Sequence, residues 1–269
     1  MLKARLLTAA VLIPLVVWGT LALHTLWFSL LVALVVALGA WEWSALAGLS
    51  SRAMRGFYVV FMLLALWGIN CLPVIWVLAA ATLGWCAAAV IIVRYPAGVT
   101  LWSGAGIAAV AGVWVLAPAW FALTHLHAAA PQGPYWVLFV MVLAWVADSA
   151  AYFSGRRWGT TKLAAEISPG KTWAGVWGAL VATLLIAPVA GIAFELSGYR
   201  LWLFMGLCLV TVVFSIVGDL FKSLYKRARG VKDSGHLLPG HGGVLDRIDS
   251  LTAAAPVLML GLWLMGALP

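Results

Sequence analysis

The acidic residues best placed for chemistry lie near the end of the chain, which has eight Asp and Glu among 269 residues. Asp219 precedes a basic, Gly-rich segment, Asp246 lies near the end of that segment, and Asp249 comes three residues later. If Asp246 and Asp249 open a helix, both carboxylates share one of its faces. Divalent cations prefer such oxygen ligands, and magnesium keeps room for substrate phosphates. We therefore expect Asp219 and Asp246 to bind Mg²⁺, with Asp249 as a further or alternate ligand.

The segment KSLYKRARGVKDSGHLLPGHGGVLDRIDS, residues 222–250, has the composition of an anion-binding site. Its Lys and Arg side chains can neutralise phosphates, and its glycines let backbone amides approach an anion closely. If the preceding helix continues, Asp219, Ser223 and Lys226 lie on one of its faces. A basic loop that only orients the protein in a membrane would explain Arg229, but not the acidic residues or the PGHGG turn. The expected binding residues here are Ser223, Lys226, Arg227, Lys232, Asp233, His241, Gly242, Gly243 and Arg247.

A second candidate anion site is SPGKTWAG, residues 168–175. Its Gly-Lys-Thr resembles a nucleotide-binding P-loop, but that motif needs a glycine where Ala165 stands, and we expect no strand before it. We therefore exclude a P-loop ATPase. Lys171 beside Ser168, at the start of a helix, still suits an anion at a helix N-terminus. Asp148 lies within an apolar run, where a carboxylate is costly without a partner, so we expect it to close the site with Lys171.

The elements that must position these residues are membrane helices. Hydrophobic residues make up 65% of the chain and charged residues 9%, with a mean hydropathy of +1.08. This composition excludes a soluble domain, a disordered chain and a disulfide-rich secreted protein. Glu42, between two Trp residues in one apolar run, is best explained by a helix–helix hydrogen bond. Apolar runs of about 20 residues predict nine spans, over residues 6–23, 26–48, 56–69, 72–93, 103–126, 135–155, 173–194, 201–221 and 251–268.

The basic residues are unevenly divided between the two ends of these spans. With a cytoplasmic N-terminus, 15 of the 16 Lys and Arg fall in cytoplasmic connections, and Arg200 falls outside. Membrane proteins carry such an excess on the cytoplasmic side. We therefore attribute the net charge of +8 to orientation and not to nucleic acid binding, and we expect the C-terminus on the opposite face.

The predicted fold is an all-α, polytopic membrane protein in two parts. Residues 1–130 would hold the first five spans. Residues 131–269 would form the catalytic region, with spans six to nine and the cytoplasmic loops 156–172 and 222–250.

The motif SLYKRARGVKDSGHLLPGHGGVLDRID resembles the signature of the phosphatidate cytidylyltransferases, also called CDP-diacylglycerol synthases. The segments WVADSAAYFSG and SPGKTWAG are similar to that family too. Three positions depart from its pattern. Tyr225 stands where an aliphatic residue or Phe is usual, Lys222 where bacterial members often carry Glu, and Ala174 where Glu or Gln is common.

The resemblance implies that CTP and phosphatidate react to give CDP-diacylglycerol and pyrophosphate, with Mg²⁺, in the inner membrane of a bacterium. It also implies a homodimer. The expected catalytic residues are then Asp219, Asp246, Lys226 and Arg247, and the other binding residues hold CTP or the lipid phosphate. Two alternatives stay open. One is a related cytidylyltransferase or kinase that acts on another lipid, and the other is an ion-coupled transporter.

Overall fold

The computed structural model describes residues 2–235, 237 and 242–268, without the side chains of residues 2–9. These residues form ten helices and one antiparallel pair of strands. The helices are α1 (Leu2–Ala22), α2 (Thr25–Leu46), α3 (Arg52–Ile69), α4 (Val74–Arg94), α5 (Val99–Trp102), α6 (Ala105–Ala128), α7 (Gly133–Trp158), α8 (Trp173–Ala193), α9 (Gly198–Ala228) and α10 (Leu245–Leu264). The strands are β1 (Lys162–Ala164) and β2 (Ser168–Thr172).

The helices confirm the predicted all-α membrane architecture. In the described part of the chain, eight helices, α2 to α4 and α6 to α10, are long and apolar enough to cross a membrane. They coincide with eight of the nine predicted spans. The remaining span corresponds to α1, whose apolar stretch Ala10–Ala22 is shorter. The orientation of the termini and the division of the chain at residue 130 stay predictions.

The predicted ends of two spans were wrong in a way that matters for the site. Helix α9 continues seven residues past the predicted end at residue 221, and α10 begins at Leu245 rather than at residue 251. The charged residues there were assigned to a loop because charges normally end a membrane span. In the structure they lie on helices, as the conditional helical spacing of these residues required, and Lys and Asp side chains of α9 and α10 pair with each other.

Helix α9 ends at a left-handed glycine. The amides of Gly230 and Val231 donate to the carbonyls of Arg227 and Lys226, at 3.0 Å each, and Gly230 has φ of +68°. This is the C-terminal cap in which glycine is favoured because it has no Cβ. The chain therefore leaves the helix immediately after the lysines and arginines of its last turn.

Strands β1 and β2 form a short hairpin between α7 and α8, with Lys162 opposite Thr172. The expectation that no strand precedes the Gly-Lys-Thr sequence was wrong, because β1 precedes it and Lys171 and Thr172 themselves end β2. The Thr172 hydroxyl then accepts the Gly175 amide at 3.2 Å and caps α8. The hairpin leads Lys171 to the start of that helix.

Helix α10 occupies the centre of the bundle. It packs against α4, α6, α7 and α9, and it shares with α6 the greatest burial among the described spans. The most extensive helix pairs are α7 with α8 and α9 with α10. The first turns of α10 therefore face the last turns of α9, and the candidate site lies between them.

Candidate functional site

Three aspartates converge on the ammonium group of Lys222. Asp219 and Lys222 lie on α9, and Asp246 and Asp249 lie on the first turns of α10. The Lys222 Nζ is 2.9 Å from Oδ1 of Asp246 and 3.8 Å from Oδ1 of Asp219, and it contacts Oδ2 of Asp249 directly. The structure thus brings together the three residues that the sequence analysis assigned to a metal ion, around a cation supplied by the chain.

Two further lysines extend this arrangement into a network. Lys171 Nζ lies 2.7 Å from Oδ2 of Asp219, and Lys226 Nζ lies 3.0 Å from Oδ1 of Asp246. The side chains of Asp219 and Lys171 are 28% and 23% exposed, whereas that of Lys222 is 6% exposed. We call these three aspartates and three lysines the ion-pair network. It is open to solvent at the Asp219–Lys171 end and buried at Lys222.

The second carboxylate oxygen of Asp246 organises the chain before α10. Its Oδ2 accepts hydrogen bonds from the amide of Ser234 at 3.2 Å, the hydroxyl of Ser234 at 3.0 Å and the amide of Gly243 at 3.2 Å. Gly242 has φ of +82°, and a Cβ there would lie 3.1 Å from the same oxygen. Both glycines therefore let the backbone wrap closely around Asp246. The Gly243 amide, which the sequence predicted to bind a substrate anion, donates instead to the carboxylate of Asp246.

Glu42 of α2 anchors the same segment from the N-terminal half of the protein. Glu42 is 2% exposed, and its carboxylate accepts the amides of Val244 and Leu245 at 2.9 Å each. It also lies 3.1 Å from the Ser234 hydroxyl, whose one proton it shares with Asp246. Amides at a helix N-terminus lack partners within the helix and favour a nearby negative charge. Glu42 is therefore a positioning residue for Asp246. The sequence alone predicted only a helix–helix hydrogen bond for Glu42. A carboxylate inside an apolar run was the signal that could have found it.

Ser223 and Asp148 border the ion-pair network. The buried Ser223 hydroxyl donates to Oδ1 of Asp219 at 3.4 Å. Asp148 of α7 is exposed and accepts the hydroxyl of Ser250 at 3.1 Å, which connects α7 to the residue after Asp249. Both predicted residues thus lie beside the carboxylate cluster.

The other predicted binding residues are spread around this centre. Arg227 donates from Nε to the carbonyl of Ile167 at 3.0 Å and ties the hairpin to α9. Lys232 and Asp233 are exposed after α9, Arg247 is exposed on α10, and Ser168 begins β2. His241 lies outside the described residues.

Arg229 has a structural role. Its guanidinium donates to the carbonyls of Leu46 at 2.7 Å, Ala47 at 2.8 Å and Ser103 at 3.1 Å. These contacts bind the end of α9 to the end of α2 and to α5. From the sequence, membrane orientation was the favoured explanation of Arg229, and these contacts explain its position more specifically.

Comparison with known sequences places the chain in a family. Residues 3–265 match the sequence model of the Cytidylyltransferase family. The chain belongs to this family. The match covers every member of the ion-pair network and the Glu42 anchor.

Curated relatives of this cytidylyltransferase-family chain carry the name phosphatidate cytidylyltransferase. The one from Pseudomonas aeruginosa is 44% identical over 269 residues, which cover 99% of this chain and 98% of the relative. The one from Haemophilus influenzae is 39% identical over 95% of this chain and 96% of its own length. A third, from Staphylococcus saprophyticus, is 40% identical over 50% of this chain and 51% of its own.

The donor atoms of the cluster suit magnesium in type, but not in their present arrangement. Asp246 uses both oxygens, on two lysines and three N–H or O–H donors, and Asp249 contacts Lys222. Across residues 2–235, 237 and 242–268, no three acidic, His or Cys side chains are placed to hold a metal ion together. A site made by one carboxylate and substrate phosphates fits better, since magnesium is commonly held this way. Asp219 is the most exposed aspartate of the network and suits that role.

Proposed function

We propose that this protein transfers the cytidylyl group of CTP to phosphatidate and releases pyrophosphate, forming CDP-diacylglycerol. Two relatives with this name match nearly the whole chain. The observation that carries the proposal is the ion-pair network, which places lysines and carboxylates at one end of a bundle of membrane helices. A lipid phosphate held by the membrane and a nucleotide from solvent can both reach that end.

The reaction needs charge neutralisation more than proton transfer. An oxygen of the phosphatidate phosphate attacks the α-phosphorus of CTP, a new O–P bond forms, and the bond to the β-phosphate oxygen breaks as pyrophosphate leaves. A phosphate monoester has a second pKa of about 6 and is mostly a dianion at neutral pH. No side chain has to remove a proton. The protein must instead bring two polyanions together and align them.

The lysines of the network supply that positive charge in the proposal. Lys171 is partly exposed and pairs with one carboxylate, so its ammonium can turn to a phosphate when substrate arrives. Lys226 lies deeper and is held by Asp246, which fixes its position before substrate binds. We assign Arg227, Lys232 and Arg247 to the CTP phosphates or the lipid head group, together with the backbone amides of the glycine-rich segment.

We also propose that magnesium enters with the triphosphate and is held by Asp219. When bound there, it would neutralise phosphate charge during the displacement. Asp246 and Asp249 hold Lys222 and Lys226 in place, and Asp246 also holds the chain before α10.

The proposed setting is the cytoplasmic face of a bacterial inner membrane. The excess of Lys and Arg in connections assigned to that face supports the orientation, and the relatives named above come from bacteria. A homodimer is part of the proposal on the strength of the family resemblance alone. Chemical cross-linking of the chain in native membranes, before detergent is added, tests it.

Purified protein with CTP, phosphatidate and Mg²⁺ tests the reaction. We expect pyrophosphate and CDP-diacylglycerol in equal amounts, at a rate that Arg200→Gln leaves unchanged because this exposed residue lies at the opposite end of α9. Parallel reactions replace CTP by ATP, or phosphatidate by a polyprenyl phosphate. Turnover with these substrates and none with CTP and phosphatidate would contradict the proposal, as would ion flux in liposomes without nucleotide transfer.

A further inference from the structure

Lys222 has surroundings that are unusual for a lysine in a membrane-spanning helix. It is the least exposed lysine in the part of the chain whose side chains the structure describes. Its ammonium contacts three carboxylates from two helices, Asp219, Asp246 and Asp249. A buried charge is costly unless opposite charges compensate it closely. Here one cation contacts three anions, so the remaining negative charge needs further partners.

The formal charges of the network cancel. Three carboxylates face three ammonium groups, and Lys222 is the one that contacts all three carboxylates. Clustered carboxylates elsewhere commonly gain this compensation from a bound cation. At this cluster the cation is a side chain of the protein itself, the ammonium group of Lys222.

The space around Lys222 leaves little room for a second cation. Lys222 and Asp249 border a small cavity whose other walls include Trp43, Val115 and Phe221. Magnesium retains several waters when it binds to proteins, and those waters need polar partners. An apolar wall offers few. An ion bound by all three carboxylates would therefore have to take the position of the ammonium itself.

We propose that Lys222 is the resident cation of this cluster and excludes a divalent ion from it. The protein without nucleotide then has no tight divalent-ion site among Asp219, Asp246 and Asp249. This inference does not require the proposed reaction, because it concerns ion binding to the protein in the absence of CTP and phosphatidate.

Titration of the purified full chain with Mn²⁺, followed by electron paramagnetic resonance of the free ion, tests the inference. We expect weak binding to the unaltered protein. Lys222→Gln removes the cation that contacts all three carboxylates and leaves them with only Lys171 and Lys226 as partners. One Mn²⁺ per chain should therefore bind at least about tenfold more tightly. The matched control Lys226→Gln removes the same charge from a lysine that contacts one carboxylate, and we expect less than about a threefold change. Equal gains in both variants, or none in Lys222→Gln, would overturn the inference.

A second measurement uses the protein with Lys222 in place. The thermal unfolding temperature of the unaltered protein, without nucleotide, should be the same in EDTA and in Mn²⁺. A rise in Mn²⁺ that Asp249→Asn abolishes would reveal a divalent-ion site within the cluster and would overturn the inference.

Discussion

At the scale of single residues, Lys171 is the member of the ion-pair network best placed to exchange partners. It approaches the network from the hairpin rather than from α9 or α10, and it contacts one carboxylate at the open end. A pair exposed to this degree contributes little to stability, about 0–1 kcal/mol, because water screens it. The same ammonium beside a phosphate in a closed site would contribute more. Its role should therefore show in kinetics and not in stability.

Lys171→Gln should lower kcat/KM for CTP by about ten- to a hundredfold, the loss expected for one hydrogen bond to a charged group of about 1.5–3 kcal/mol. Its unfolding temperature should stay close to that of the unaltered protein. Lys162→Gln is the control, since Lys162 lies in the paired strand of the same hairpin and is exposed. Steady-state kinetics over a CTP series measure both variants. Equal kinetic losses in the two would show that Lys171 acts only through the hairpin.

Residue types and spacing predicted the three aspartates, Lys171 and Lys226 as members of the site, but they did not predict Lys222 or the pairings. The spacing of Asp246 and Asp249 gave their common helix face, because that geometry is local. The contact of Glu42 with Val244 and Leu245 joins residues about two hundred positions apart, and nothing local encodes it. The place of Lys222 among three carboxylates depends on the packing of α9 against α10 in the same way.

At the scale of elements, the site depends on the close approach of α9 to α10. A Cβ at Gly218 of α9 would lie 2.6 Å from the carbonyl oxygen of Asp249 and 3.2 Å from the Cβ of Ala253. Such distances cannot be relieved by a flexible side chain, because one of the contacted atoms belongs to the backbone of α10. Gly218 therefore sets the separation of the helices that carry the aspartates.

Gly218→Ala should move α10 away from α9, lower activity and destabilise the protein by about 1–3 kcal/mol through overpacking. Gly206→Ala is the matched control, because Gly206 lies in the same helix and a Cβ there meets no atom within 4 Å. Alanine in a helix interior is favoured over glycine by about 1 kcal/mol, so this variant should be as stable as the unaltered protein or slightly more so. Thermal unfolding in detergent compares them. A stable, fully active Gly218→Ala protein would refute the assigned role of this glycine.

Hydrophobic runs predicted the membrane helices well, and charges misled the prediction at two ends. Apolar length is a strong signal for a span, whereas the turns of α9 and α10 that carry the site have both charges and helical structure. Ion pairs connect these turns of the two helices. The hairpin of β1 and β2 was missed because its eight strand residues show no alternation of apolar and polar side chains.

At the scale of the whole molecule, the distribution of charge connects orientation with function. In the proposed orientation, the excess of Lys and Arg behind the net charge of +8 lies on the side of the membrane where the two polyanionic substrates would meet. With a cytoplasmic N-terminus, the connection between α3 and α4 would lie on the outer side of the inner membrane and the segment between α9 and α10 on its cytoplasmic side. The exposed Cys71 is a natural reporter in the first of these connections.

A membrane-impermeant maleimide applied to intact cells should label Cys71 once the outer layers are made permeable to it but the inner membrane stays sealed. Cys71→Ser should remove the signal. In that background Lys232→Cys, at an exposed position near the site, should react only after the inner membrane is opened. Labelling is read by mass spectrometry of the purified chain. The reverse pattern would place the site on the outer face and contradict the proposed orientation.

The most direct test of the central claim compares CDP-diacylglycerol formation by the unaltered protein and by Asp219→Asn, under saturating CTP, phosphatidate and Mg²⁺. Asp219 is the open end of the network and the proposed partner of the magnesium–nucleotide complex. The substitution keeps the shape of the side chain and removes its charge, so we predict at least about a hundredfold lower kcat in a protein that still elutes as a folded species. A folded Asp219→Asn protein that forms CDP-diacylglycerol at the unaltered rate would contradict the account.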